Sequence, residues 1–274
     1  MTSRGVRVAA VGVWTGWGQG VAALPADACV AAAGRAVIPL ARPSLDGERF
    51  RRATRECLLG VSAVEAMLHE GGLDREAVRG DGTALLFVTA AGYGSSNVAW
   101  LAGRAGTLHF PYTAPSVLPG EVAIEFGLTG PYVILIGGAP ATVDALWQAA
   151  RLLAGGQCER ALVLAVETFE EAAALWRRAR WTVRGPLVES AACALLEPGD
   201  VPAAYRAVAS GVALERVVET RAGRTLACAP LVALALARAA GEGSARVGGT
   251  WRGRRADIEL DTGGTWKRRK SSTS

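Results

Sequence analysis

The sequence predicts an α/β domain with buried strands, and three observations carry that expectation. Short runs of β-branched and small apolar residues alternate with longer segments whose apolar residues recur at helical spacing. Glycine pairs, Gly71-Gly72 and Gly155-Gly156, stop the two longest helical segments. The strand-like runs are apolar throughout instead of alternating, as strands covered on both faces are. With 274 residues, 50% apolar and 20% charged, the chain can bury a sizeable core and is neither disordered nor fibrous.

Element by element, Val6 to Val13 reads as a buried strand followed by a glycine-rich turn. Thr54 to His69 places Leu58, Val61, Val64, Met67 and Leu68 on one helix face. Thr83 to Thr89 is a second strand, Val117 to Phe126 a short helix ending at Gly127, and Tyr132 to Ile136 a third strand. Pro140 suits a helix start, after which Val143, Leu146, Trp147, Ala150, Leu153 and Ala154 form an apolar face opposite Asp144, Gln148 and Arg151. Ala161 to Val166 is a fourth strand. A helix around Glu170 to Arg180, strands at Val188 to Leu196 and near Tyr205 to Leu214, a helix at Leu226 to Ala240 and a strand near Ala256 to Leu260 complete the expectation.

Composition narrows the chemistry. Of 30 basic residues only Lys267 and Lys270 are lysines, so the body has no lysine for a P-loop or a Schiff base. The net charge of +5 is concentrated from Trp251 onward, where seven basic residues face three acidic ones and leave about +1 for residues 1–250. Cys29, Cys57, Cys158, Cys193 and Cys228 form no ligand spacing, and the only histidines are His69 and His109. No metal and no cofactor is expected. Unpaired thiols point to a cytoplasmic protein, and glycines in the first apolar stretch make a poor secretory leader. No apolar run is long enough to span a bilayer, and the tail lacks the interleaved aromatics of a nucleic-acid binder.

Gly16-Trp17-Gly18-Gln19-Gly20 lacks the spacing of a dinucleotide-binding turn, and neither a GxSxG elbow nor an HExxH pair occurs. His69, on a helix edge, and His109, in LHFPY, read as structural.

Five segments in order resemble the β-ketoacyl synthases of the thiolase-like superfamily. VAAVGVWTGWGQGV resembles that family's opening strand and turn, the helix ending in EGGLD its helix ending in DAGLD, and AAGYGSS its G-x-G-x-G-G turn. EVAIEFGLTGPYVILIGGAPATVDALWQAARLLAGGQCERALVLAVET resembles the segment running from VAIxFGLxGP through TACASG to LAGGxE, and VESAACALLE resembles EGAGALVLE. The resemblance implies a thiolase-like layered α-β-α-β-α fold with a shortened C-terminal half. Residues 1–200 would form the ketosynthase-like half, 201–262 the reduced half, and 263–274 a basic disordered tail.

The departures bear on function. In the family the TACASG cysteine sits at a helix N-terminus that favours its thiolate, and it takes the acyl chain from its carrier. Counting from Gly130-Pro131, Ile136-Gly137-Gly138-Ala139-Pro140-Ala141 falls in its place and puts Ala139 at the nucleophile position. GRTLACAPLVALALARAAG resembles the family's G-H-T helix, with Arg224 where its histidine stands; the H-G-T-G-T loop bearing the second histidine has no counterpart. The resemblance therefore implies a catalytically inactive, short chain length factor. Such a subunit pairs with an active ketosynthase as a heterodimer, shapes the tunnel for a growing polyketide or polyene chain, and meets an acyl carrier protein; LHFPYTAPSVLPGEVAIEFG is the stretch closest to that subgroup.

On the same basis Tyr132, Ile134 and Ile136 are candidate interface residues, and Tyr93, Trp100, Phe110 and Tyr112 candidate tunnel walls. Arg177, Arg178 and Arg180, or the cluster Arg252 to Arg255, would meet an acidic carrier protein. The rival reading is an acyltransferase or decarboxylase with a relocated nucleophile, Cys228, Cys193 or Ser190.

Overall fold

The computed structural model describes residues 5–51, 53–104, 106–169, 185–207 and 213–263. Their centre is a mixed sheet. Strand β1 (Gly5–Thr15) pairs antiparallel with β8 (Ser190–Gly199), which pairs antiparallel with β6 (Arg160–Glu167). Strand β4 (Thr83–Thr89) lies parallel to β6 and to β5 (Tyr132–Ile136), which ends the sheet. Beyond β1, β11 (Arg254–Asp261) joins through the single pair Arg7–Asp261 and forms a hairpin with β10 (Ser244–Trp251). Short strands complete the set: β2 (Gly18–Gln19) on β1, β3 (Val37–Ile38) with β7 (Leu187–Val188), and β9 (Ala204–Arg206) on β11.

Helices cover both faces of the sheet. Helix α2 (Arg55–Gly71) starts at Thr54, whose hydroxyl accepts the Cys57 N–H, and ends at Gly72 in the left-handed region (φ 62°). Leu58, Val61, Val64, Met67 and Leu68 are all buried, as their spacing predicts; each contributes roughly 1.5–3 kcal/mol through burial. The helix lies so close to β1 that a methyl on Gly12 would sit 2.2 Å from the Met67 nitrogen. Helix α4 (Val117–Phe126) shares this layer through Leu118, Val122 and Phe126. On the opposite face lie α5 (Ala139–Ala154) and α7 (Ala229–Ala239). Among the smaller helices, α1 spans Ala28–Ala32, α3 Gly94–Leu101 and α6 Ala213–Ala222.

Helix α5 is covered twice, by the main sheet on one side and by the β10–β11 hairpin on the other. A mixed sheet with helices on both faces and a C-terminal hairpin joined to it is the α/β fold with a shortened C-terminal half that was expected. Because of the second cover, the polar side of α5 is engaged. Asp144 accepts the Tyr205 hydroxyl at 3.0 Å and pairs with Arg254 at 2.6 Å, while Trp147 stacks on Tyr205 with ring centroids 5.7 Å apart.

Four expectations need correction. Of the strand expected near Tyr205 to Leu214, Tyr205 and Arg206 are extended in β9 and residues 208–212 lie outside the described residues, while Leu214 belongs to α6, which buries Val218 and Ala222 at helical spacing. The expected helix from Leu226 opens as a 3₁₀ turn, Leu226–Cys228, with Leu226 at φ 46°; the α-helix begins only at Ala229, next to Pro230. Val188 belongs to β7, because Glu189 interrupts the run with a carboxylate engaged elsewhere. Finally, β10 was not anticipated: Gly248 and Gly249 dilute its strand signal. The helix expected around Glu170 to Arg180 and the basic tail beyond residue 263 lie outside the described residues.

Candidate functional site

The strand-to-helix turn after β5 is Gly137-Gly138, and Ala139 is the first residue of α5. The position aligned with the nucleophile therefore stands at a helix N-terminus, as the resemblance requires, but carries a methyl group that is 6% exposed. The Thr142 hydroxyl donates to the Ala227 carbonyl at 2.6 Å and ties this first turn to the Leu226–Cys228 turn. That tie brings Arg224 near. Ala139, Arg224, Thr225, Leu226, Gly249 and Trp251 line one cleft of about 310 Å³. Two positions far apart in sequence, picked out by the same resemblance, thus meet at one place.

Glu215 and Glu219 bring carboxylates and Thr225 and Thr250 hydroxyls to the cleft, whose lining includes no cysteine or histidine. Arg224 pairs with Glu219, Nε to Oε1 at 3.5 Å. The Thr225 hydroxyl is buried and has no hydrogen-bond partner among the described residues. Trp251 roofs the turn: a methyl on Gly138 would lie 2.8 Å from its ring. None of the residues proposed as relocated nucleophiles lines the cleft. Cys228 and Cys193 are fully buried, and burial pushes both thiols far up, Cys228 further through the nearby Glu167 charge. The Ser190 hydroxyl is buried and donates to the Val188 carbonyl at 3.4 Å. A buried thiol held protonated is a poor nucleophile. His69 sits in the last turn of α2 and His109 beside Tyr112, ring centroids 5.7 Å apart, so neither faces the cleft.

The candidate wall residues divide into two groups. Tyr93 precedes α3 and, with Tyr112, lines a void of about 10 Å³ beside Thr89 and Ser96, room for about one water. Trp100 and Phe110 instead pack on each other, centroids 5.3 Å apart, with Phe110 59% exposed at the surface. Strand β5 is less covered than its neighbour β4. It is the edge of the sheet, with Tyr132 43% and Ile136 52% exposed, and Ile134 packs inward against the α2 layer. Tyr132 is steadied by its hydroxyl, which donates to the Ser116 carbonyl at 3.2 Å. A row of exposed apolar side chains on an edge that is unpaired among the described residues is a surface that a second strand can extend.

The basic cluster is largely neutralised within the chain. Arg254 pairs with Asp144, Arg255 with Glu215 at 3.8 Å, and the Arg252 guanidinium lies over the Trp251 ring at 5.6 Å. Arg177, Arg178 and Arg180 fall outside the described residues. Among the described residues no cluster of His, Cys, Asp and Glu could hold a metal, and no helix is long and apolar enough to cross a membrane. Two features escape a reading of the sequence. Trp251 sits on the unforeseen strand β10. Glu167 closes the apolar run Ala161–Val166 of β6; its charge at the end of a buried strand, and its match to the glutamate of LAGGxE, were the signals it offered.

The profile of the family described as "Beta-ketoacyl synthase, N-terminal domain" matches residues 40–193. No curated protein matches. Among solved structures, the fold resembles one of a type II polyketide synthase acyl-carrier protein in complex with its ketosynthase, at 13% identity and TM-score 0.72, over 95% of this chain and 100% of that one. It resembles the ishigamide ketosynthase/chain length factor at 17% identity and TM-score 0.68, over 94% and 99%. It also resembles a ketosynthase in complex with its chain length factor from Xenorhabdus doucetiae, at 14% identity and TM-score 0.54, over 80% and 84%. At these identities the likeness is one of fold.

Proposed function

The chain belongs to the β-ketoacyl synthase family, and from that premise we propose that it is a non-catalytic, chain-length-factor-type subunit. It pairs with an active ketosynthase through the β5 edge and contributes walls to the tunnel that holds a growing polyketide or polyene chain on an acyl carrier protein. The observation that carries this reading is the shared cleft of Ala139 and Arg224, where the family's chemistry needs a cysteine and a histidine. Condensation needs a thiolate to hold the acyl group, which a methyl group cannot supply, and Arg224, paired with Glu219, stands where the resemblance puts a histidine. A subunit that keeps the fold without the chemistry acts through its surfaces. The exposed apolar edge of Tyr132 and Ile136 is one such surface, and obligate interfaces of this kind are large and apolar. Two of the neighbours of similar fold are, by their descriptions, a ketosynthase with its chain length factor.

The test is co-expression with the ketosynthase that accompanies it. A one-to-one complex that condenses acyl units, while the isolated chain does not, is expected. In that complex Tyr93→Ala lengthens or broadens the product distribution, because the removed ring borders the void beside Thr89. A chain that stays monomeric beside the synthase, or that condenses alone, overturns the proposal.

A further inference from the structure

The carboxylate of Glu167 ends β6 in the middle of the molecule, fully buried. Its hydrogen bonds come from two separate stretches of chain. Oε1 accepts the N–H groups of Ala90 at 2.7 Å and Ala227 at 3.2 Å. Oε2 accepts the Ala91 N–H at 2.9 Å and the Thr89 hydroxyl at 3.4 Å. The Ala90–Gly92 turn leads into Tyr93 and α3. The Leu226–Cys228 turn follows Arg224 and Thr225 at the cleft. One side chain therefore fastens the turn before the candidate wall to the turn beside the cleft.

We propose that Glu167 is a positioning residue, a carboxyl latch that holds these two turns in one arrangement and whose release opens them together. Its surroundings make the latch sensitive to proton concentration. No arginine contacts Glu167 among the described residues. The titratable groups around it are Cys228, on the turn it holds, and two neighbouring acids: Glu189, next to its cross-strand partner Ser190 and paired with Arg55, and Glu56, which accepts the hydroxyl of the adjoining Thr168 at 3.2 Å. Burial without a cation pushes its carboxyl from 4.5 up to about 7, against the pull of its hydrogen-bond donors. In an opened arrangement water reaches the group and it returns towards its ordinary value. The closed form therefore holds its proton more tightly than the open form, and by linkage opening is favoured as pH rises. Between pH 6 and 8 the shift amounts to about tenfold.

Hydrogen exchange on the full chain, corrected for the intrinsic exchange rate at each pH, tests this. The amides of Ala90, Ala91 and Ala227 are expected to share one protection factor, lower than that of Ala194 in β8. They lose about tenfold together between pH 6 and 8, while amides of α1 keep theirs. Glu167→Gln removes the pH dependence at all three. Three amides responding independently, no pH dependence in the wild type, or the same dependence in Glu167→Gln overturns the latch; should Glu167→Gln not fold, the wild-type comparison decides alone. Any effect on product length rests on the partner-subunit reading, whereas the exchange experiment does not. The latch and the partner role therefore fail separately.

Discussion

A methyl group on Gly249 would lie 2.3 Å from the Cβ of Ala139. The C-terminal hairpin and the first turn of α5 thus approach until only one methyl fits between them. The contact joins the part of the chain that matches the family profile to the part beyond it, at the residue that the resemblance sets at the nucleophile position. Substituting Gly249→Ala is expected to cost about 1–3 kcal/mol through overpacking, read as a lower urea midpoint. Adding Ala139→Gly recovers part of the loss despite the weaker helix start. If Gly249→Ala unfolds at the wild-type midpoint, the contact is not as close as described.

Arg55 and Glu189 form a two-point ion pair, Nη1 to Oε2 at 2.9 Å and Nη2 to Oε1 at 3.0 Å, with the carboxylate fully buried. Glu189 also accepts the N–H groups of Leu40 and Phe169, both at 2.8 Å, and so gathers three segments around one charge. Arg55→Met strands that charge and is expected to cost about 3–5 kcal/mol in urea unfolding. A loss below 1 kcal/mol would mean that the two backbone donors suffice.

Of the five cysteines only Cys29 is exposed. Alkylation of the native protein is therefore expected to give a single adduct at Cys29, and an acyl-thioester analogue is expected to leave Cys228 and Cys193 unlabelled. Mass spectrometry reads both. Labelled Cys228 in folded protein would revive an enzyme with a relocated nucleophile.

Ile136 is half-exposed on β5, at the edge of the sheet. Ile136→Lys is expected to leave the thermal midpoint of the isolated chain nearly unchanged, since little buried contact is lost. A charge on that edge opposes strand pairing, so the same substitution is expected to abolish co-elution with the ketosynthase. Intact co-elution would place the interface elsewhere.

The strands Thr83–Thr89 and Tyr132–Ile136 and the helix from Arg55 to Gly71 were legible because their signals are local. A hydroxyl cap, an apolar face and a glycine stop act within a few residues of one another. Leu214 was misread because an apolar residue in a short run looks the same in a strand and in a helix, and only the burial of Val218 and Ala222 separates the two. The partners of Asp144 on the polar face of α5 were not legible, because Arg254 and Tyr205 reach it from far along the chain.

The sequence by itself determined the α/β class and the order of the main elements, and a family resemblance singled out Ala139 and Arg224. Only the tertiary structure decided that these two share a cleft and that β5 lies at an open edge. It alone showed that Cys228 and Cys193 are sealed from solvent and that Glu167 fastens two distant turns. The physical reason is range. Propensity, capping and periodicity are written in neighbouring residues, whereas burial, cavities and the environment of a charge arise between segments that meet only when the chain is folded.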